Sequence, residues 1–175
     1  LPETTLSANA YTGAAGIAKA LALGAQVVVT GRCVDSALLL GALVHEFGWA
    51  WDDFDRLAQG SLAGHIIECG AQATGGLFTD WEQVPDWDRI GYPILECTGD
   101  GSFLVTKPEG TGGLVRPAAV AEQVLYELGD AAAYILADVI CDLRDVHVDA
   151  AREGQVRVSG ARGRAPTQDY KVSLT

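Results

Sequence analysis

The pattern of the chain changes at Gly76, and no other feature constrains the fold as much. Before it, apolar residues recur at helical spacing in segments that end at glycines; after it, short β-branched runs are broken by Pro and Gly. Such an order predicts an α/β class, a partly parallel sheet with helices followed by an antiparallel, hairpin-rich portion. Residues 14–23 read as a helix with Gly24 as C′, and Val27-Val28-Val29-Thr30 as a short buried strand fed by it, which is the parallel element. Residues 37–47 read as a second helix, with Asp35 or Ser36 as N-cap and Gly48 beyond its end. A short helix over 53–59, capped by Asp52 and stopped by Gly60, precedes one beginning at Ser61.

Beyond Gly76, residues 94–97 and 103–106 flank Asp100-Gly101 as a hairpin. Pro117 fits the first position of a helix running to Leu128, with Gly129 as C′. Residues 134–142 predict a strand, 146–148 with 156–159 a second hairpin, and 170–174 a last strand. With 175 residues, 49% of them hydrophobic, the chain has enough apolar material for a single core, so 1–175 is read as one domain segment.

A net charge of -11 repels phosphate backbones and argues against a nucleic-acid partner. Cys33, Cys69, Cys97 and Cys141 are widely and irregularly spaced, which reads as reduced core thiols in a cytoplasmic protein. No apolar run reaches the roughly 20 residues that span a bilayer, and Leu1-Pro2-Glu3-Thr4-Thr5 has no signal-peptide charge pattern. No methionine is present, and no strand or crossover precedes the first helix, so the sequence reads as a fragment of a larger domain.

Four constellations compete for chemistry. Ser61, His65, Glu68 and Gln72 fall at steps of four, three and four, one polar stripe beside the apolar Leu62, Ile66, Cys69 and Ala73. His65 there suits a general base oriented by Glu68, or the pair is a polar edge at a helix interface. No second His-x-x-Glu exists, so no metal centre is expected. Thr30-Gly31-Arg32 with Asp35 and Ser36 lies where a strand hands over to a helix, and Arg32 offers a planar fork for carboxylate or phosphate; alternatively Asp35 caps the helix and Arg32 pairs with it. From Lys107 to Arg116, a lysine, Thr111, the N–H groups of Gly112 and Gly113 and an arginine precede a helix start, suiting an anion, though no Walker A or G-x-G-x-x-G pattern is present. Arg162-Gly163-Arg164 adds local positive charge or is a solvated surface loop. His45, in a last helical turn, and His147, on a strand, receive no chemistry.

Several segments together resemble the acyclic terpene utilisation protein family, AtuA. They are Asn9-Ala10-Tyr11, Val28 to Arg32, His45 to Trp49, Gly60 to His65, Glu68 to Gly76, Thr106 to Val115 and Ser159 to Arg164, in the family's order across nearly the whole chain. The resemblance implies a bacterial cytoplasmic protein linked to citronellol and geraniol breakdown, whose intermediates are branched acyl-CoA thioesters. It also implies an internal segment of the family's N-terminal domain, without that domain's opening strands and helices.

Two function classes follow. The first is an enzyme acting on a branched acyl-CoA or related carboxylate by proton abstraction, of lyase or hydro-lyase type. Its catalytic roles, read from the residues, fall to His65 and Glu68, with Arg32, Asp35, Ser36, Gly75, Gly76, Lys107, Thr111, Gly112, Gly113 and Arg116 holding the substrate. No cofactor is expected beyond coenzyme A carried by the substrate. The second class is a noncatalytic module in which Trp49, Trp51, Trp81 and Trp87 organise contacts with a pathway enzyme, with self-assembly as a homo-oligomer left open. Because Thr74-Gly75-Gly76-Leu77 recurs as Thr111-Gly112-Gly113-Leu114, the two loops are predicted to approach one pocket.

Overall fold

The computed structural model describes residues 4–175; Leu1-Pro2-Glu3, part of the segment read for a signal-peptide pattern, lies outside the described residues. The first half carries β1 (Ala8–Ala10), α1 (Ala15–Ala22), α2 (Ala37–Phe47) and α3 (Phe54–Glu68), then single 3-10 turns at Gly70–Thr74, Trp81–Gln83 and Trp87–Arg89. The second half carries β2 (Ile94–Cys97), β3 (Phe103–Thr106), α4 (Pro117–Leu125), β4 (Tyr134–Ile135), β5 (Ile140–Asp142), β6 (His147–Arg152), β7 (Gln155–Ser159), β8 (Arg162–Arg164) and β9 (Val172–Leu174). The class is mixed α/β, with helices early and hairpins late, as the change at Gly76 implies.

The strands form three antiparallel sheets, ordered β2-β3-β7-β6, β4-β5-β8 and β1-β9. In the largest, Phe103 faces Val158 and Val105 faces Val156 across the β3/β7 ladder, and all four side chains are fully buried. That alternation is the period of two that a one-faced sheet requires. The helices cover this face through Leu40, Leu57, Leu62 and Ile66. A smaller cluster of Phe78, Val84 and Ala119 closes the loops beyond α3.

The parallel sheet is the main departure. Residues 27–30 form no strand, and Val27 and Val29 are 82% and 91% exposed while Val28 alone leans on the core. The run has the right residues but no neighbour to pair with among the described residues, and a strand is defined by its ladder. Among the described residues parallel pairing survives only as isolated bridges, Thr12 to Cys33 and Ile90 to Gly112.

Gly60 does not stop a helix. The two helices expected around it are one, α3, whose N-cap is Asp53 rather than Asp52. A Cβ at Gly60 would lie 2.8 Å from the Trp49 ring and 2.9 Å from Leu40, so glycine here admits α2 and its following loop to close range. Packing outweighs the roughly 1 kcal/mol that glycine costs inside a helix.

Smaller differences have local causes. α4 ends at Leu125, and Glu127 (φ 56°), not Gly129, takes the left-handed position after it. The strand expected over 134–142 is a hairpin, folded back where the Leu136 N–H donates to the Val139 carbonyl. The other expected elements lie within a few residues of their predicted places, and Gly24 (φ 86°) and Gly48 (φ 62°) end their helices in the left-handed conformation. All four cysteines are free, Cys33 and Cys141 fully buried. Among the described residues no helix is long and apolar enough to cross a membrane.

Candidate functional site

Glu68 is the last residue of α3, and His65 lies one turn before it, so helical geometry sets the two side chains side by side. His65 Nδ1 is 3.2 Å from Glu68 Oε1. An ionised carboxylate only accepts, so Nδ1 carries the proton and donates. Nε2 is buried with no partner, as is Ser61 Oγ one turn earlier. The imidazole is 3% exposed and has the Tyr134 ring edge-on at 6.0 Å. Gln123, also fully buried, donates from Nε2 to the His65 carbonyl at 3.0 Å and so ties α4 to this turn of α3.

Two adjoining clefts meet at Glu68. The first, about 500 Å³, is lined by the apolar Leu38, Leu39 and Ile67 together with Tyr126 and Cys69. The second, about 420 Å³, is bordered by Tyr11, Arg32, Ser36, Tyr134 and Lys171. Asp35, Glu68 and Glu127 line both. His65 lines neither, so the geometry reverses the expected order: Glu68 meets the cleft and His65 stands behind it.

The charges of the second cleft are arranged in space. Arg32 Cζ sits 4.4 Å from the centre of the Tyr11 ring, and Lys171 Nζ 5.4 Å from the same centre. Arg32 also pairs with Asp35 at 3.1 Å, the alternative pairing weighed from the sequence, while Ser36 occupies the N-cap of α2 without a side-chain capping bond. The backbone assembles this end: the Tyr11 N–H donates to the Lys171 carbonyl at 2.9 Å, and the Thr12 N–H to the Arg32 carbonyl at 3.2 Å. Burial, reinforced by the negative charge of Glu68, pushes the Tyr134 phenol up to about 12, so it remains a neutral hydrogen-bond donor. Burial, with Glu68 beside it, also raises the Cys69 thiol, which keeps it protonated rather than nucleophilic.

Of the residues singled out from sequence, Arg32, Asp35, Ser36 and Glu68 converge here. Gly75, Gly76, Lys107, Thr111, Gly112, Gly113 and Arg116 do not. The two Thr-Gly-Gly-Leu loops do meet, through a 2.7 Å bond from the Leu114 N–H to the Thr74 carbonyl, but away from Glu68. Their N–H groups are already used: Gly75 donates to Gln72, Gly76 to Ala71, Gly112 to Arg89 and Gly113 to Pro85. Lys107 Nζ donates to the Thr111 carbonyl at 2.6 Å, and Arg116 to Gln83 Oε1 at 2.7 Å. The four glycine N–H groups are therefore not free to cradle an anion, and the glycines serve close packing of the two loops on the Pro85 to Gly91 segment. Gly113 and Arg116 border a different cleft, against the β6/β7 turn.

Arg162 is likewise structural, paired at 2.9 Å with Asp55, whose carboxyl the Gly163 N–H and Arg162 hold below the usual carboxylate range. His45 and His147 are exposed. Among the described residues no group of three His, Cys, Asp or Glu side chains is placed to hold a metal ion.

Tyr11, Lys171, Glu127 and Tyr134 are among the cleft residues that sequence reasoning missed, as are Leu38, Leu39, Ile67 and Tyr126. Tyr11 and Lys171 stand at opposite ends of the sequence and meet only because β1 pairs with β9. Glu127 follows the end of α4 and Tyr134 opens β4, and neither belongs to a local motif.

The model of the acyclic terpene utilisation family protein AtuA matches residues 1–175, the whole chain, and the chain belongs to that family. No curated protein and no solved structure matches it.

Proposed function

We propose that this member of the acyclic terpene utilisation family is an enzyme that takes a proton from the carbon beside the carbonyl of a branched acyl-CoA or related carboxylate. Glu68 is the base and His65 its positioning residue. The observation that carries the reading is a carboxylate common to two clefts and held from behind by a buried imidazole. Glu68 Oε1 is engaged by His65 Nδ1, which leaves Oε2 to receive the proton. The C–H bond breaks, its proton passes to Oε2, and its electron pair moves into the carbonyl as an enolate. In a hydro-lyase reaction the pair then forms the C=C bond, and the β-hydroxyl leaves as water with the proton from Glu68. The side chain of Glu68 is 13% exposed, which shelters the carboxylate against a bound carbon yet leaves its proton able to exchange with solvent. The free thiols suit a reducing cytoplasmic setting.

The test is proton exchange. The purified protein is incubated in D2O with branched acyl-CoA esters and with the free acids, and deuterium at the α-carbon is read by mass spectrometry. The wild type is expected to catalyse exchange, and Glu68→Gln to lose it. Wild-type protein that neither exchanges nor binds any of these compounds would instead leave the assembly role, for which Trp51, Trp81 and Trp87 are exposed, whereas Trp49 is buried in the core and donates to the Gly99 carbonyl.

A further inference from the structure

The double cleft carries a chemical gradient. At one end Arg32 and Lys171 converge on the Tyr11 ring, at the waist stand Asp35, Glu68 and Glu127, and at the other end lie Leu38, Leu39 and Ile67. In a chain of net charge -11, two cations on one tyrosine run against the overall field. Arg32 shares its charge with Asp35, whereas Lys171 has no ion-pair partner among the described residues. An anionic group placed at the waist would face three carboxylates, and one placed on the leucines would be desolvated without a partner. Only the Tyr11 end offers opposite charge.

We infer that the ligand is an amphipathic acid, with its anionic group held by Arg32 and Lys171 beside Tyr11 and its hydrocarbon tail lying on Leu38, Leu39 and Ile67. The inference rests on the reading of the cleft as a substrate site. It adds an orientation: the carbon acted on lies between the two ends, at Glu68. It also assigns binding roles to Tyr11 and Lys171, which come together only in the folded chain. The anion is either the ligand's own carboxylate or a phosphate of coenzyme A, since both offer oxygens to a guanidinium and an ammonium.

Calorimetric titration separates these sources. Three ligands sharing one branched tail are compared: the free acid, the acyl-CoA and the uncharged acyl-pantetheine thioester. The uncharged thioester is expected to bind most weakly, and the tighter of the other two identifies the source of the anion. Arg32→Gln and Lys171→Gln should each weaken that ligand by about 10-fold or more, while Lys171→Arg restores binding. Affinity should rise about 3-fold for each methylene added to the tail. Equal binding of charged and uncharged ligands, unchanged affinity in both glutamine variants, or indifference to tail length overturns the inference. Each of these can occur with α-carbon exchange intact, whereas loss of exchange in the wild type removes the proposed reaction instead.

Discussion

A Cβ at Gly64 would lie 2.5 Å from the carbonyl oxygen of Ser36, so α3 rests directly on the residue that starts α2. Gly64 lines the first cleft, Ser36 the second, and Asp35 both. The separation of the two helices therefore sets the position of Asp35 relative to Glu68.

Gly64→Ala should destabilise the protein by about 1–3 kcal/mol, because a backbone oxygen cannot turn aside as a side chain can. Helix propensity alone predicts the opposite sign, a gain of roughly 1 kcal/mol. Urea denaturation decides between them, and a raised midpoint would show that the helices separate freely.

His65→Asn keeps a donor near the place of Nδ1 and deletes the unpartnered Nε2, whereas His65→Leu keeps neither nitrogen. If His65 positions Glu68, the asparagine variant should retain α-carbon exchange within about 10-fold, and the leucine variant should lose about 100-fold. Equal loss in both variants would make His65 the base.

Asp138 caps α1 from the turn between β4 and β5, its Oδ2 accepting from the Ala14 N–H at 2.8 Å. Burial outweighs that hydrogen bond and pushes its carboxyl up from the ordinary value. A folded-state value above the unfolded one means stability is greatest when the group is protonated and is lost as pH rises through the folded value. Asp138→Asn keeps the acceptor without the charge, so it should match the wild type at pH 4 and melt above it at pH 7, while Asp138→Ala should cost about 1 kcal/mol at pH 4. Thermal melts of the two variants at pH 4 and pH 7 supply the comparison.

Tyr134 and Cys141 face each other across the β4/β5 ladder, and burial pushes each up to about 12. The unfolded chain releases these protons first, the thiol near pH 9 and the phenol near pH 10. Stability is therefore whole below pH 9 and falls as pH climbs towards 12. Denaturation midpoints at pH 8.5, 10 and 11.5 should decline, and Cys141→Val should flatten the decline. An unchanged slope in that variant would place the alkaline loss elsewhere.

Elements whose stability is local could be read without coordinates. α2 occupies the predicted residues, Pro117 opens α4, and the hairpin around Asp100-Gly101 pairs as its turn residues require. The His65–Glu68 pair belongs to the same class, because the pitch of one helix fixes it. Glycine misled at Gly60, where a residue that breaks helices is also the one that lets them touch. The Val27 to Thr30 run failed for a related reason: propensity selects an extended conformation, but pairing makes a strand.

What the sequence by itself determined is the helix-then-hairpin order, the Glu68 carboxylate with its histidine, and the family. The tertiary structure decided which side of that pair faces the clefts, since burial depends on what packs against a helix. It decided that the glycine loops spend their N–H groups on backbone carbonyls, those of Gly75 and Gly76 on Gln72 and Ala71 and those of Gly112 and Gly113 on Arg89 and Pro85. It also brought Tyr11, Arg32 and Lys171 together, because a ladder between β1 and β9 couples residues that no local spacing rule connects.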